Sequence, residues 1–132
     1  MSSKFDTFAT AVGCMDGRVQ EPVFEFAKKR WGVKYVDTIT EAGLVGLLAS
    51  NDPGSLLLDS IKKKVLISVE KHHSRGIVVH SHEDCAGNPV SDSQQKEEII
   101  SAADIIRELE PGVEVVPVFV KRAEPGWEVI PL

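Results

Sequence analysis

The sequence predicts one α/β domain. Its sheet is mostly parallel and four-stranded, with helices on both faces and a short C-terminal edge strand that is free to run antiparallel. Three observations predict it. Compact β-branched runs alternate with segments of helical apolar spacing. Gly, Pro, Asn and Asp punctuate the junctions. The 132 residues are 42% hydrophobic, which suits a single core spanning 1–132.

The elements follow in order. Thr7 to Cys14 is mostly apolar and stops at Asp16-Gly17, which reads as a buried strand and a turn. Pro22 is placed as the first residue of a helix, where a missing N–H costs nothing. Val23, Phe26, Ala27 and Trp31 continue it at helical spacing, and Gly32 closes it. Lys34 to Thr40 is rich in β-branched residues and is the second strand. Glu41 to Ser55 carries turn signals at Gly43, Gly46 and Asn51-Asp52-Pro53-Gly54, so it reads as a loop enclosing a short helix. Ser55 caps a long helix whose apolar face is Leu57, Leu58, Ile61, Val65 and Val69, with Lys62, Lys63 and Lys64 as a solvated face. Ile77 to His80 is the third strand. Asp92 caps the next helix, with Ile99, Ile100, Ala103, Ile106 and Leu109 as its stripe and Pro111-Gly112 as its stop. Val113 to Val120 is the fourth strand. Ala123 to Gly126 turns the chain into a last short strand, Trp127 to Ile130.

Composition narrows the function classes. The net charge is -5, from 20 acidic and 15 basic residues, and phosphate binding needs the opposite balance, so nucleic acid is not an expected partner. No apolar run reaches the roughly 20 residues of a membrane helix. Met1-Ser2-Ser3-Lys4-Phe5-Asp6 lacks a signal peptide's apolar stretch, so the expected location is the cytoplasm. The only cysteines are Cys14 and Cys85, and in a reducing compartment such a pair points to metal or catalysis before a disulfide.

Both cysteines fall just beyond the ends of predicted strands. Cys14 ends the first, and His82-Glu83-Asp84-Cys85 follows the third. In open parallel sheets, ligands bind beyond these strand ends where the strand order reverses. If the first and third strands are neighbours, Cys14, His82 and Cys85 converge there. Two thiolates and an imidazole suit zinc and leave a fourth position for water or a carboxylate. In Cys14-Met15-Asp16-Gly17-Arg18, Arg18 can hold Asp16 through a forked pair, and Asp16 can then accept a hydrogen bond from bound water. Released from Arg18, Asp16 can take the fourth metal position itself.

Cys-x-Asp-x-Arg after the first strand and His-x-x-Cys after the third resemble the β-class carbonic anhydrases. The resemblance covers most of the chain. It implies a β-carbonic-anhydrase-like fold, zinc on Cys14, His82 and Cys85, and a catalytic pair of Asp16 and Arg18. The implied reaction is reversible hydration of carbon dioxide, or of a related small electrophile, by zinc-bound hydroxide. Family members form dimers or multiples, so a homodimer or higher oligomer is expected. The chain departs from the pattern in several places. Gly17 stands where Ser is usual, and Thr40-Glu41-Ala42-Gly43 stands for Arg-Asn-Ala-Gly. Ala86-Gly87-Asn88-Pro89 follows the second cysteine. The chain reads as a small, divergent member without the N-terminal helical arm. Gly17, Gln20, Glu41, Gly43 and Gly87 are placed around the pocket.

Plainer readings stand beside these. Cys14 and Cys85 can be ordinary buried thiols or, without metal, a disulfide. Asp16–Arg18 can be a structural ion pair fixing a turn. Gly17 can be a backbone requirement of that turn, and Gly43 can allow close approach. His80 is the rival ligand, or else a packed histidine behind His82. His72 and His73 read as surface residues at a helix end. Glu83 or Asp84 can orient His82. Two other functions compete with the enzyme. One is a non-catalytic zinc-binding structural or regulatory domain with Asp16 as fourth ligand. The other is a thiol enzyme with Cys14 in a phosphate loop, disfavoured because Gln20 stands six positions after Cys14, where such loops carry Arg.

Overall fold

The computed structural model describes residues 4–109 and 111–132. The reading of Met1 to Ser3 as part of a leaderless start lies outside them. The elements are β1 (Phe8–Cys14), α1 (Gly17–Trp31), β2 (Tyr35–Glu41), α2 (Leu44–Ser50), α3 (Leu56–Lys71), β3 (Gly76–His82), α4 (Asp92–Arg107), β4 (Glu114–Ala123) and β5 (Gly126–Pro131). The sheet order is β2-β1-β3-β4-β5. The first four strands are parallel, and β5 lies antiparallel on β4. The four-stranded parallel sheet and its antiparallel edge strand agree with the sequence reading.

Alternation along the strands sends side chains to two cores. On one face, Val19, Val23 and Ala27 of α1 cover Ala9, Ala11, Val78 and Val118. On the other, α2, α3 and α4 bring Leu44, Leu48, Ile61, Val65, Ile99 and Ile106 onto Val12, Ile77, Val79 and Phe119. Each fully buried aliphatic side chain contributes about 1.5–3 kcal/mol.

Several boundaries differ from expectation. α1 begins at Gly17, because Asp16 is its N-cap and accepts from the Arg18 N–H at 2.9 Å. Pro22 therefore lies inside the helix, where it removes one backbone bond. The N-cap of α4 is Ser91, whose hydroxyl accepts from the Gln94 N–H at 3.1 Å; Asp92 is the first helical residue. Ile100 and Leu57 are exposed, at 42% and 37%. Ile99, Ala102, Ala103 and Ile106 face the sheet, and Ile100 is turned about 100° away from Ile99.

A polar thread ties α3 to the sheet. Thr10 Oγ1 lies 2.7 Å from both Ser68 Oγ and Ser74 Oγ. Ser68 donates to Asp37 Oδ2 at 2.7 Å, Ser74 donates to the Gly76 carbonyl at 2.9 Å, and His72 Nδ1 meets Asp37 Oδ2 at 2.7 Å. His72 also stacks on Phe8, so it is more engaged than a surface histidine. Thr10→Val keeps the shape but strips a partner from two buried hydroxyls. The expected cost is about 1–2 kcal/mol, read as a lower urea midpoint at constant m. An unshifted midpoint would show the thread to be dispensable.

Candidate metal centre

β1 and β3 are adjacent, with Gly13 opposite His80 in register. Their C-terminal ends flank the point where the strand order reverses, β2 lying to one side of β1 and β3 to the other. Cys14 ends β1 and His82 ends β3, two residues further than sequence periodicity suggested. A turn through Asp84, which adopts left-handed φ of 56°, then brings back Cys85. The donor atoms of Cys14, His82 and Cys85 all lie within 4.8 Å of one another, and all three residues are buried.

The donors fit a tetrahedral cation. Two sulfurs each about 2.3 Å from one ion would lie roughly 3.8 Å apart. Cys14 Sγ and Cys85 Sγ are 3.7 Å apart, too far for a disulfide, and both thiols are free. His82 Nδ1 donates to the Glu83 carbonyl at 2.6 Å. That bond assigns the proton to Nδ1 and leaves the Nε2 lone pair for a metal. Nε2 is buried and has no hydrogen-bond partner among the described residues. Glu83 thus orients His82 through its backbone, not its carboxylate.

Backbone amides converge on the sulfurs. Burial pushes the Cys14 thiol up, but His82 and the N–H groups of Gly43 and Asp16 outweigh it and hold it down at about 7. Burial and the neighbouring Cys14 sulfur raise Cys85, against the Gly87 and Asn88 amides. His82 is raised, because Cys14 and the Glu83 carbonyl overcome the effect of burial. Two glycines make room for this. Gly43 has φ +62°. A Cβ on it would lie 2.5 Å from the Gly87 oxygen, and one on Gly87 would lie 2.7 Å from the Gly43 nitrogen. Gly17 differs: a Cβ there meets nothing within 4 Å, and its φ is not positive. The turn therefore does not require glycine at 17, contrary to the sequence reading.

Asp16 stands over the donors and is gripped by Arg18. Arg18 Nε donates to Oδ1 at 3.0 Å and Nη2 donates to Oδ2 at 2.7 Å. These bonds hold the Asp16 carboxyl down at about 2, against a smaller effect of burial. Oδ2 lies 3.8 Å from His82 Nε2. Gln20 fixes the loop beneath, its amide donating to the Cys14 and Asp16 carbonyls at 2.8 Å each. Glu41 lies opposite Cys14 in register, and its carbonyl accepts from the Met15 N–H at 3.3 Å.

His80 is not among the donors. Its ring is fully buried over Gly13, where a Cβ would collide with the imidazole, and burial pushes it down to about 3, with His82 adding. Sequence reasoning missed Trp127, Arg122, Asn88 and Gln95. Asn88 donates to Glu98 at 2.6 Å and accepts from Gln95 at 2.9 Å, which fixes the loop carrying Cys85. No periodicity signals such contacts between a loop and a helix.

A cysteine–histidine–cysteine cluster that could hold a metal ion, at the switch point of a parallel α/β sheet and with a carboxylate–guanidinium pair above it, defines the class of this α/β protein. Within that class the chain belongs to the family described as "putative carbonic anhydrase", whose sequence model matches residues 4–131. Among solved structures it is similar to β-carbonic anhydrase isoform I of the protozoan Trichomonas vaginalis, at 17% identity and TM-score 0.58, over 99% of this chain and 88% of that one. It is also similar to a β-carbonic anhydrase of the fungal pathogen Aspergillus fumigatus, at 13% identity and TM-score 0.49, over 95% and 76%. The first of these likenesses bears on the fold. No curated protein sequence matches the chain. No helix of the described residues is long and apolar enough to cross a membrane.

Proposed function

We propose that the chain is a zinc-dependent, carbonic anhydrase-like lyase that hydrates carbon dioxide, or a related small electrophile, reversibly. One observation carries the reading. An ionised carboxylate, fixed by Arg18, stands 3.8 Å from the unpartnered nitrogen of a buried two-sulfur, one-nitrogen donor set. Cys14, His82 and Cys85 would hold the ion. Bound there, zinc supplies the Lewis acid that makes water a nucleophile near neutral pH. Asp16, acceptor-only when ionised, would accept a hydrogen bond from the O–H of the attacking water and so aim its lone pair at the substrate carbon, while the proton released on hydration passes to solvent. Arg18 keeps Asp16 ionised and oriented. Glu41, beside Cys14 in register, would disfavour an anionic product and is the feature that speaks for the non-catalytic alternative. The grip of Arg18 supports the lyase over a closed zinc module with Asp16 on the metal. The homodimer and the cytoplasmic location belong to the same proposal, the latter supported by two free cysteines.

Stopped-flow hydration assays on zinc-loaded protein test it. Asp16→Ala is expected to lower kcat by about 100-fold or more at unchanged zinc content. Equal rates in the two proteins would remove Asp16 from the mechanism. A fully zinc-loaded wild type that does not hydrate carbon dioxide would remove the lyase.

A further inference from the structure

The Asp16–Arg18 pair is itself held from outside. Arg18 has a guanidinium edge left over after it grips Asp16. Its Nη1 donates to Asp84 Oδ2 at 3.2 Å, and its Nη2 reaches the Asp84 carbonyl, also at 3.2 Å. The guanidinium carbon lies over the Trp127 indole, 4.9 Å from the ring centroid. Arg122 lies over the same indole at 4.5 Å, pairs with Trp127 across β4 and β5, and approaches Asp84 Oδ2 at 3.6 Å. The Glu83 carboxylate accepts from the Arg122 N–H, which docks the hairpin onto the turn between His82 and Cys85. Trp127 also meets His82 edge to face, at 6.1 Å.

We propose that Asp84 and Trp127 are positioning residues, which clamp Arg18 onto Asp16 and so keep Asp16 away from the metal position. The clamp's value for turnover rests on the lyase reading above; the clamp itself does not. Singly, the parts are weak. The Asp84 carboxylate is 71% exposed, and an exposed ion pair contributes little. Jointly they constrain the group in three ways: an indole ring beneath its central carbon, a carboxylate on Nη1 and a backbone carbonyl on Nη2. Asp84 can offer that carbonyl because its backbone is left-handed, a conformation that Asp and Asn tolerate. Without the clamp, the guanidinium swings on a long side chain and Asp16 is released toward the sulfurs. The antiparallel edge strand thus reaches the chemistry of a site built on β1 and β3.

The test is made on metal-free and cobalt-loaded full-length protein carrying Asp84→Asn, Trp127→Leu or both. Asn keeps the left-handed turn, so Asp84→Asn is expected to fold. In metal-free protein the Arg18 Nε–H, which donates to Asp16, is followed by proton–nitrogen NMR. Its solvent exchange is expected to quicken about tenfold in the double variant and less in each single one. Trp127→Phe, which keeps an aromatic face, should restore most of the protection. In cobalt-loaded double variant, the visible spectrum should lose its response to added azide as Asp16 occupies the fourth position. Unchanged Arg18 exchange in the double variant overturns the clamp, whatever the hydration rate. Faster exchange with an unaltered azide response overturns its role in holding Asp16 off the metal. A wild type without hydration activity refutes the lyase reading alone, because the exchange measurement needs neither metal nor turnover.

Discussion

Replacing Cys85 by serine is expected to abolish stoichiometric metal binding. The two sulfurs sit 3.7 Å apart inside a buried pocket, and a hydroxyl offers neither the charge nor the softness of a thiolate. Structural zinc sites bind with apparent free energies of roughly 10–16 kcal/mol, so one of three protein ligands carries on the order of 4 kcal/mol, about a thousandfold in affinity. Elemental analysis of purified protein should find one zinc per wild-type chain and a small fraction of that in Cys85→Ser. Because an ion that binds only the folded state stabilises it, a chelator should lower the wild-type melting temperature and leave the variant's nearly unmoved. A variant that retained one equivalent at wild-type affinity would place the metal elsewhere.

The second large effect is expected at Gly43. Its φ of +62° costs an L-residue about 1–2 kcal/mol. The added methyl would also stand 2.5 Å from the Gly87 oxygen, a backbone atom that can yield only if its loop moves. With overpacking costs of about 1–3 kcal/mol added, Gly43→Ala should lose roughly 2–5 kcal/mol. The loss should extend to the centre, since the loop of Gly87 carries Cys85 and the Gly43 N–H supports the Cys14 sulfur. Gly17→Ala is the control. It has open space and an ordinary φ at the start of α1, so it should be neutral or gain up to about 1 kcal/mol from helix propensity. Urea denaturation and zinc affinity separate the two. Equal stability of both variants would contradict the close approach of the two glycine loops.

Much of this was legible from residue order. The strands stand out as β-branched runs, and two short motifs at strand ends pointed to Cys14, His82 and Cys85 before any geometry was known. Boundaries were less legible where several residues offer the same local chemistry. Ser91, Asp92 and Ser93 can each cap a helix, and backbone register decides for Ser91. Pro22 imitates a first helical residue, yet Asp16 caps six positions earlier because its carboxylate also answers to Arg18. The contacts of Trp127 with Arg18 and of Asn88 with Glu98 were not legible at all. They join elements through the directions of individual side chains, which neither spacing nor propensity encodes. Gly43 and Gly87 were placed near the pocket by motif, but their mutual contact emerges only when the two loops meet.

β1 sits between β2 and β3, and every strand pair except β4–β5 is parallel. Parallel neighbours cannot be joined by a tight hairpin, so each must wait for a crossover to close. Such long-range pairing makes for slow folding compared with helical bundles or hairpins. The first donor and the other two lie on either side of the β1–β3 pairing, and no local fragment of the chain holds all three. Capture of a cation by the refolding polypeptide should therefore keep pace with sheet formation. The ion would arrive as a late reporter of a completed topology, not as its nucleus.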